Sequence, residues 1–251
     1  MKLALATAAL VVLAGGPASA QECHHTARST SALALRAGVA VEAGAIDDDL
    51  GRSGHYRGTT ASVEVAALGG RARVALGAYQ VDWGQTGQGL GDLQLGVERA
   101  VATAGPMTLG LALSATLPTG SVRHDLGMGH PMVMPAAWAR FRRDESALLA
   151  TVLYGSMLGD QHAHGMAGPL PSPMNAEEAG ASLRGSHVFG RTELSTTISG
   201  ATPIGEGESR VGFAAGARMT FGPTELGIDL SAALGGTPTR ARGIVEISRG
   251  F

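Results

Sequence analysis

The chain is poor in cysteine, lysine and aromatic residues. Its single cysteine, Cys23, leaves no possibility of an internal disulfide. Lysine occurs once, at Lys2, and aromatic residues make up only 4% of the sequence. With a net charge of −2 and no basic cluster, nothing indicates a nucleic acid partner. Glycine-rich phosphate loops, nucleotide fingerprints and Cys-x-x-Cys pairs are also absent, so we expect no cofactor.

Long apolar runs are missing as well. A membrane-spanning helix needs about 20 apolar residues, and no stretch after residue 20 qualifies. Residues 1–20 combine Lys2, an apolar run over 3–14 and the end Ala18-Ser19-Ala20, which predicts a secretory signal cleaved before Gln21. The residues before Cys23 do not resemble a lipoprotein processing site. We therefore expect an exported chain with a tail at 21–30 and one folded domain at 31–251.

What the sequence does have is alternating polarity. Over residues 106–117, apolar side chains at odd positions interleave with small or polar ones at even positions, which predicts a strand with one apolar face. Similar segments recur through the chain. The predicted strands are 31–46, 57–69, 71–83, 91–103, 106–117, 134–142, 146–157, 178–189, 191–202, 209–220, 223–234 and 241–251. Closed bacterial barrels have an even number of strands, as this set does.

The connections alternate in length. Short turns are predicted around residues 69–70, 104–105, 143–145, 190 and 221–222, whereas the intervening gaps are longer, at 47–56, 84–90, 118–133, 158–177, 203–208 and 235–240. Short periplasmic turns and long external loops are typical of outer-membrane barrels. The sequence therefore predicts an all-β, closed antiparallel transmembrane barrel of about twelve strands, located in the cell outer membrane and contacting its lipid.

Several strands carry charge on one parity and apolar residues on the other. Charged groups at mid-strand need water or each other, so we expect the polar parity to line a lumen. The predicted lining residues are Asp92, Gln94, Glu98, Arg210, Arg218, Glu225 and Asp229. Arg99 and Arg140 fall on the apolar parity by this interpretation, which places them near strand ends where they can snorkel.

Two short strings carry a family resemblance. GDLQLG at residues 91–96 and LPTG at residues 117–120 resemble the outer-membrane transporter family named for the meta-pathway of phenol degradation. This resemblance implies a barrel with a transport role. The chain also ends in Phe251, similar to the terminal aromatic that the barrel-assembly machinery reads in such proteins. A lumen lined by both charge signs favours small polar or amphipathic solutes.

The gaps at 118–133 and 158–177 are rich in histidine and methionine. Imidazole and thioether groups suit copper or zinc, and both gaps are predicted to be external. A metal-handling surface barrel is therefore the alternative function. Its candidate ligands are His124, Met128, His130, Met132, His162, His164 and Met166. Neither string matches a fixed metal-site pattern.

Two further alternatives are less favoured. His187 is the only histidine inside a clear strand, and Ser195, Thr196 or Thr197 on the next strand could supply a nucleophile. No oxyanion signature accompanies them, so we predict that the protein is not an enzyme and that His187 lies near the periplasmic rim. The last alternative is a soluble periplasmic β-sandwich whose apolar faces pack on each other.

Overall fold

The structure is a computed structural model that describes residues 33–47, 53–82, 86–121, 124, 126–159, 175–235 and 239–251. The predicted signal peptide and the tail at 21–30 lie outside these residues. Within the described part of the chain, no helix is long and apolar enough to cross a membrane.

The described residues form one antiparallel sheet of thirteen strands. In chain order they are β1 (Ala34–Asp47), β2 (Ser53–Ala67), β3 (Gly70–Asp82), β4 (Thr86–Leu90), β5 (Leu93–Ala104), β6 (Met107–Leu117), β7 (Met132–Arg143), β8 (Ser146–Met157), β9 (Glu177–Phe189), β10 (Thr192–Pro203), β11 (Arg210–Phe221), β12 (Thr224–Gly235) and β13 (Thr239–Gly250). Successive strands pair with each other except β4 and β5, which both pair with β3, and β1 also pairs with β13. The sheet therefore closes into a barrel, which rules out the β-sandwich alternative.

Strands β4 and β5 are two parts of one wall strand. Residues 70–75 of β3 pair with β5, whereas residues 78–82 of β3 pair with β4. The interruption falls at Gly91-Asp92, so the wall has twelve strand positions and the predicted twelve-stranded barrel is confirmed. The prediction of a loop over 84–90 is wrong for 86–90, because this stretch extends the wall along β3.

Five two-residue turns join the hairpins at one end of the barrel, at residues 68–69, 105–106, 144–145, 190–191 and 222–223. Leu68 and Gly69 both have positive φ, of 52° and 73°. A two-residue hairpin turn with positive φ at both positions matches the right-handed twist of its flanking strands. The predicted short turns all lie at this end, together with the start of β1 and the end of β13.

The two faces of the wall differ sharply in polarity. Large apolar side chains point outward and stay exposed, for example Val41 at 59%, Ile198 at 52% and Leu230 at 61%. Charged side chains point inward and are buried, for example Glu42 at 3% and Glu178 at 1%. A water-soluble domain has the opposite arrangement. The wall is therefore built to face an apolar medium outside.

Candidate functional site

The lumen is the candidate site, and a chain of ion pairs covers one side of it. We call the inward side chains of β9 to β13 and β1 the charged wall. Arg242 on β13 donates to Glu42 on β1, with Nε 2.6 Å from Oε2. On β11, Arg210 donates to Glu178 on β9 at 2.5 Å, reaching across the strand between them. These pairs cross-link neighbouring parts of the wall from the inside.

Other ion pairs of the charged wall lie closer to the end of the barrel that carries the short turns, which we call the turn end. Arg184 Nη2 on β9 is 3.4 Å from Glu193 Oε1 on β10. On β11, the Arg218 guanidinium is 3.5 Å from Asp229 and 3.8 Å from Glu225. Because both charge signs are present in nearly equal number, the wall offers paired ions and hydrogen-bonding groups rather than a field of one sign.

Another part of the lumen carries an apolar cluster. Ala112, Met132, Met134, Trp138 and Leu149 form a buried cluster on the inner face of β6 to β8, which we call the apolar patch. Trp138 Nε1 is buried without a hydrogen-bond partner in the structure. The sequence prediction missed this patch. It places Arg140 on the outward parity, which is wrong, because Arg140 faces inward two residues after Trp138, with its guanidinium 5.2 Å from the indole centroid.

A second apolar group lies at the long-loop end of the lumen. Ile46, Tyr56, Tyr79 and Val81 on β1 to β3 pack with Leu126, which comes from the connection between β6 and β7. We call these five residues the mouth cluster. Leu126 is only 1% exposed. Part of the connection predicted as an external loop over 118–133 is therefore packed inside the barrel. We call its described residues 118–121, 124 and 126–131 the inward segment.

Asp92 binds the inward segment at Gly120 and Met128, where the two sides of the segment meet. We call this place the neck. The Asp92 carboxylate accepts hydrogen bonds from the main-chain N–H of Gly120 at 2.8 Å and of Met128 at 2.7 Å. Asp92 is buried at the break between β4 and β5, and its oxygens bind the chain itself. A Cβ on Gly127 would lie 2.6 Å from the carbonyl carbon of Gly120, so this neck requires glycine.

The two strings that carry the family resemblance bind each other at this point. The hydroxyl of Thr119, within LPTG, donates to the carbonyl of Gly91 at 3.1 Å and accepts from the N–H of Leu93 at 2.9 Å. Together with the bond from Gly120 to Asp92, these contacts join the break between β4 and β5 to the end of β6. The strings therefore form one structural unit.

The other predicted lining residues also lie on inward positions. Glu98 on β5 accepts from Arg71 Nε on β3 at 2.6 Å, and Gln94 lies on the same inward parity. Near the turn end, a cavity of about 20 Å³ is lined by Arg36, Gly38, Ser62, Glu64, Arg73, Glu225, Glu246 and Ser248. A space of this size holds about one water molecule.

Known structures with this architecture are outer-membrane proteins. An outer membrane channel from Pseudomonas putida F1 is similar over 87% of this chain and 95% of its own, with a TM-score of 0.67 and 16% identity. The chain has the fold of outer-membrane channels. The NanC porin covers 87% of this chain and 99% of its own at a TM-score of 0.57 and 10% identity. The KdgM porin is similar over 86% of this chain and 99% of its own, with a TM-score of 0.55 and 7% identity. No family model matches the sequence, and no curated protein matches it.

Of the predicted metal ligands within the described residues, Met128 and Met132 lie together in apolar packing, and His124 contacts a serine. Met132 lies in the apolar patch at 0% exposure, Met128 packs against that patch, and the His124 ring lies 3.2 Å from the Ser121 hydroxyl. Among the described residues, no group of three or more His, Cys, Asp or Glu side chains could hold a metal. Candidates His162, His164 and Met166 lie outside the described residues, so the metal site stays a prediction.

His187 lies two residues before the end of β9, beside a short turn. Its Nδ1 is 2.8 Å from the Ser146 hydroxyl on β8, on the outer surface. Ser195, one of the disfavoured nucleophile candidates, instead faces inward, where its hydroxyl accepts from Arg184 at 3.2 Å. His187 and Ser195 are therefore on opposite faces of the wall, so the structure does not bring this pair together.

Proposed function

We propose that this chain is an outer-membrane channel for small polar or amphipathic solutes. The observation that carries the proposal is the combination of an apolar outer surface with a lumen that contains both the charged wall and the apolar patch. The outer surface suits lipid, and the lumen offers ion-paired polar groups as well as Trp138 and its neighbours. An amphipathic solute finds partners for both of its parts in such a passage.

Transport of the kind associated with the phenol meta-pathway family is the finer form of the proposal. The family resemblance supports it through the two strings that meet at Asp92 and Thr119. Export through a cleaved signal at residues 1–20 and recognition of Phe251 by the assembly machinery belong to the same proposal. Phe251 is 74% exposed, and its N–H donates to the carbonyl of Leu35 at 2.8 Å, which leaves the ring accessible at the seam.

Ion current through planar bilayers tests the channel. The purified protein is first run on a gel with and without boiling, because a closed barrel resists detergent until heated. We expect discrete current steps in potassium chloride from the heat-modifiable form and none from the boiled form. A folded barrel that gives no current, alone or after the variants described below, would contradict the channel function while leaving the fold intact.

A further inference from the structure

The inward segment occupies the surfaces that an amphipathic solute would use. Leu126 packs in the mouth cluster, and Met128 packs on the apolar patch. One short stretch of chain thus covers apolar surface on both β1 to β3 and β6 to β8. Within the described barrel, the mouth cluster and the apolar patch are the two buried apolar clusters of the lumen. The inward segment contacts both of them, so it covers the apolar surface that a solute would meet.

The contacts made by the two side chains are of a kind that a solute can replace. Apolar packing is non-directional, and it depends on the area removed from water rather than on the identity of the partner. Tyr56 and Tyr79 meet edge to face with centroids 6.4 Å apart, and Leu126 packs beside them. An alkyl chain or a ring of similar size would bury the same surface.

The polar contacts of the segment are different, because they are directional and concentrated at one place. Asp92 accepts from Gly120 and Met128, which are eight positions apart and form the two sides of the neck. Hydrogen bonds to an ionised carboxylate are about twice as strong as neutral ones. Asp92 therefore fixes the base of the segment, whereas the apolar contacts of Leu126 and Met128 can be replaced by those of a solute.

We propose that the inward segment is a stopper that solute displaces. The apolar part of an amphipathic solute takes the places of Leu126 and Met128 on the lumen wall, and without solute Asp92 keeps the segment in the closed position for most of the time. This inference rests on the proposed channel function and adds to it a class of solute, one with an apolar body of several carbons, and a closed resting state.

A disulfide between the segment and the wall tests the displacement. A Cβ built on Gly87 of β4 lies 3.2 Å from the Cβ and 3.1 Å from the Cγ of His124. Disulfides join Cβ atoms about 3.5–4.5 Å apart, so Gly87→Cys with His124→Cys requires only a small adjustment. Cys23→Ser removes the native thiol. The single variant His124→Cys in the same background is the control, because it has the thiol but cannot form the disulfide to the wall.

The probes are hexanoate and acetate, which share a carboxylate and differ in apolar body. With the cysteines reduced, we expect hexanoate to increase the open time in planar bilayers at a concentration at least about tenfold below that of acetate. With the disulfide formed, hexanoate should have no effect. The single-cysteine control should respond to hexanoate under both conditions.

Asp92→Asn supplies a second measurement that needs no cross-link. Loss of the ionised acceptor weakens the neck, so the ratio of open to closed time should rise about tenfold without solute. Asp144→Asn, in a turn at the other end, should leave it unchanged. Equal responses to hexanoate with and without the disulfide would overturn the stopper and leave the channel standing. Absence of current from every folded variant would overturn both.

Discussion

The indole ring of Trp138 on β7 lies directly over Gly110 on β6, and the two residues are paired across the strands. A Cβ at position 110 would come within 2.0 Å of Trp138 Cζ2. Tyr79 has the same relationship to Gly58, where an added Cβ would lie 2.2 Å from the ring. The rings lie along the wall because glycine leaves room for them, and so they project little into the passage.

Gly110→Ala is expected to destabilise the barrel by about 1–3 kcal/mol, the usual cost of overpacking. The added methyl group forces the indole away from the wall and into the lumen. Unfolding in urea, followed by the loss of heat-modifiable mobility, measures the effect. Gly185→Ala is the matched control, since nothing lies within 4 Å of its added Cβ. Equal stability of the two variants would show that Trp138 does not rest on Gly110.

Arg210→Met leaves the Glu178 carboxylate buried and without its guanidinium partner. The expected cost is about 3–5 kcal/mol, because the carboxylate is 1% exposed and is left with hydrogen bonds from the neutral donors of Asn175 in place of a cation. Adding Glu178→Gln in the same chain should recover most of that loss in the urea unfolding measurement. Arg57→Met, which removes an exposed contact to Gln80, serves as the control with little effect. A double variant no more stable than Arg210→Met would argue against a direct pair.

Leu230→Arg places a charge near the middle of the outward face of β12. In a lipid-facing position this costs about 2–4 kcal/mol at mid-depth and about 0–1 kcal/mol near an interface. Leu234→Arg, one residue from the end of the same strand, should therefore be much milder. Unfolding from lipid vesicles gives both values. If the two substitutions cost the same, the outward face is not graded by membrane depth.

Met132→Leu separates packing from metal binding. A volume-conserving change in a packed cluster costs less than about 1.5 kcal/mol, so stability should barely change. Leucine has no thioether, so a copper site that used Met132 would lose affinity. We expect copper titration to give the same result for the variant and the parent. Weaker copper binding by Met132→Leu would favour the metal-handling alternative and assign Met132 to it.

The strands were largely predictable because alternation is a local signal. Predicted strand 146–157 coincides with β8, Ser146–Met157, and the short turns were located by glycine and charged residues. The alternating pattern does not show which face of β7 points inward, because apolar residues occupy both faces and the inward face includes Met134 and Trp138. For this reason Arg140 was predicted on the wrong face.

The inward segment was not predictable from local pattern. Its position depends on Asp92, which lies 28 positions before Gly120 and 36 before Met128. Asp92 was predicted as a lumen residue, but hydrogen bonds from main-chain N–H groups to a carboxylate produce no repeating pattern in the sequence. The contact between Ser146 and His187 depends in the same way on strand register, which the sequence does not show.

The barrel is closed by the first and last strands of the domain, with Arg36 opposite Gly250 and Val41 opposite Val245. This seam joins residues separated by about two hundred positions, whereas every other pair of wall strands consists of neighbours along the chain. Bringing distant segments together is entropically slow. We therefore expect the seam to form after the hairpins, and a chain truncated before β13 would leave the edges of β1 and β12 without their partner strand.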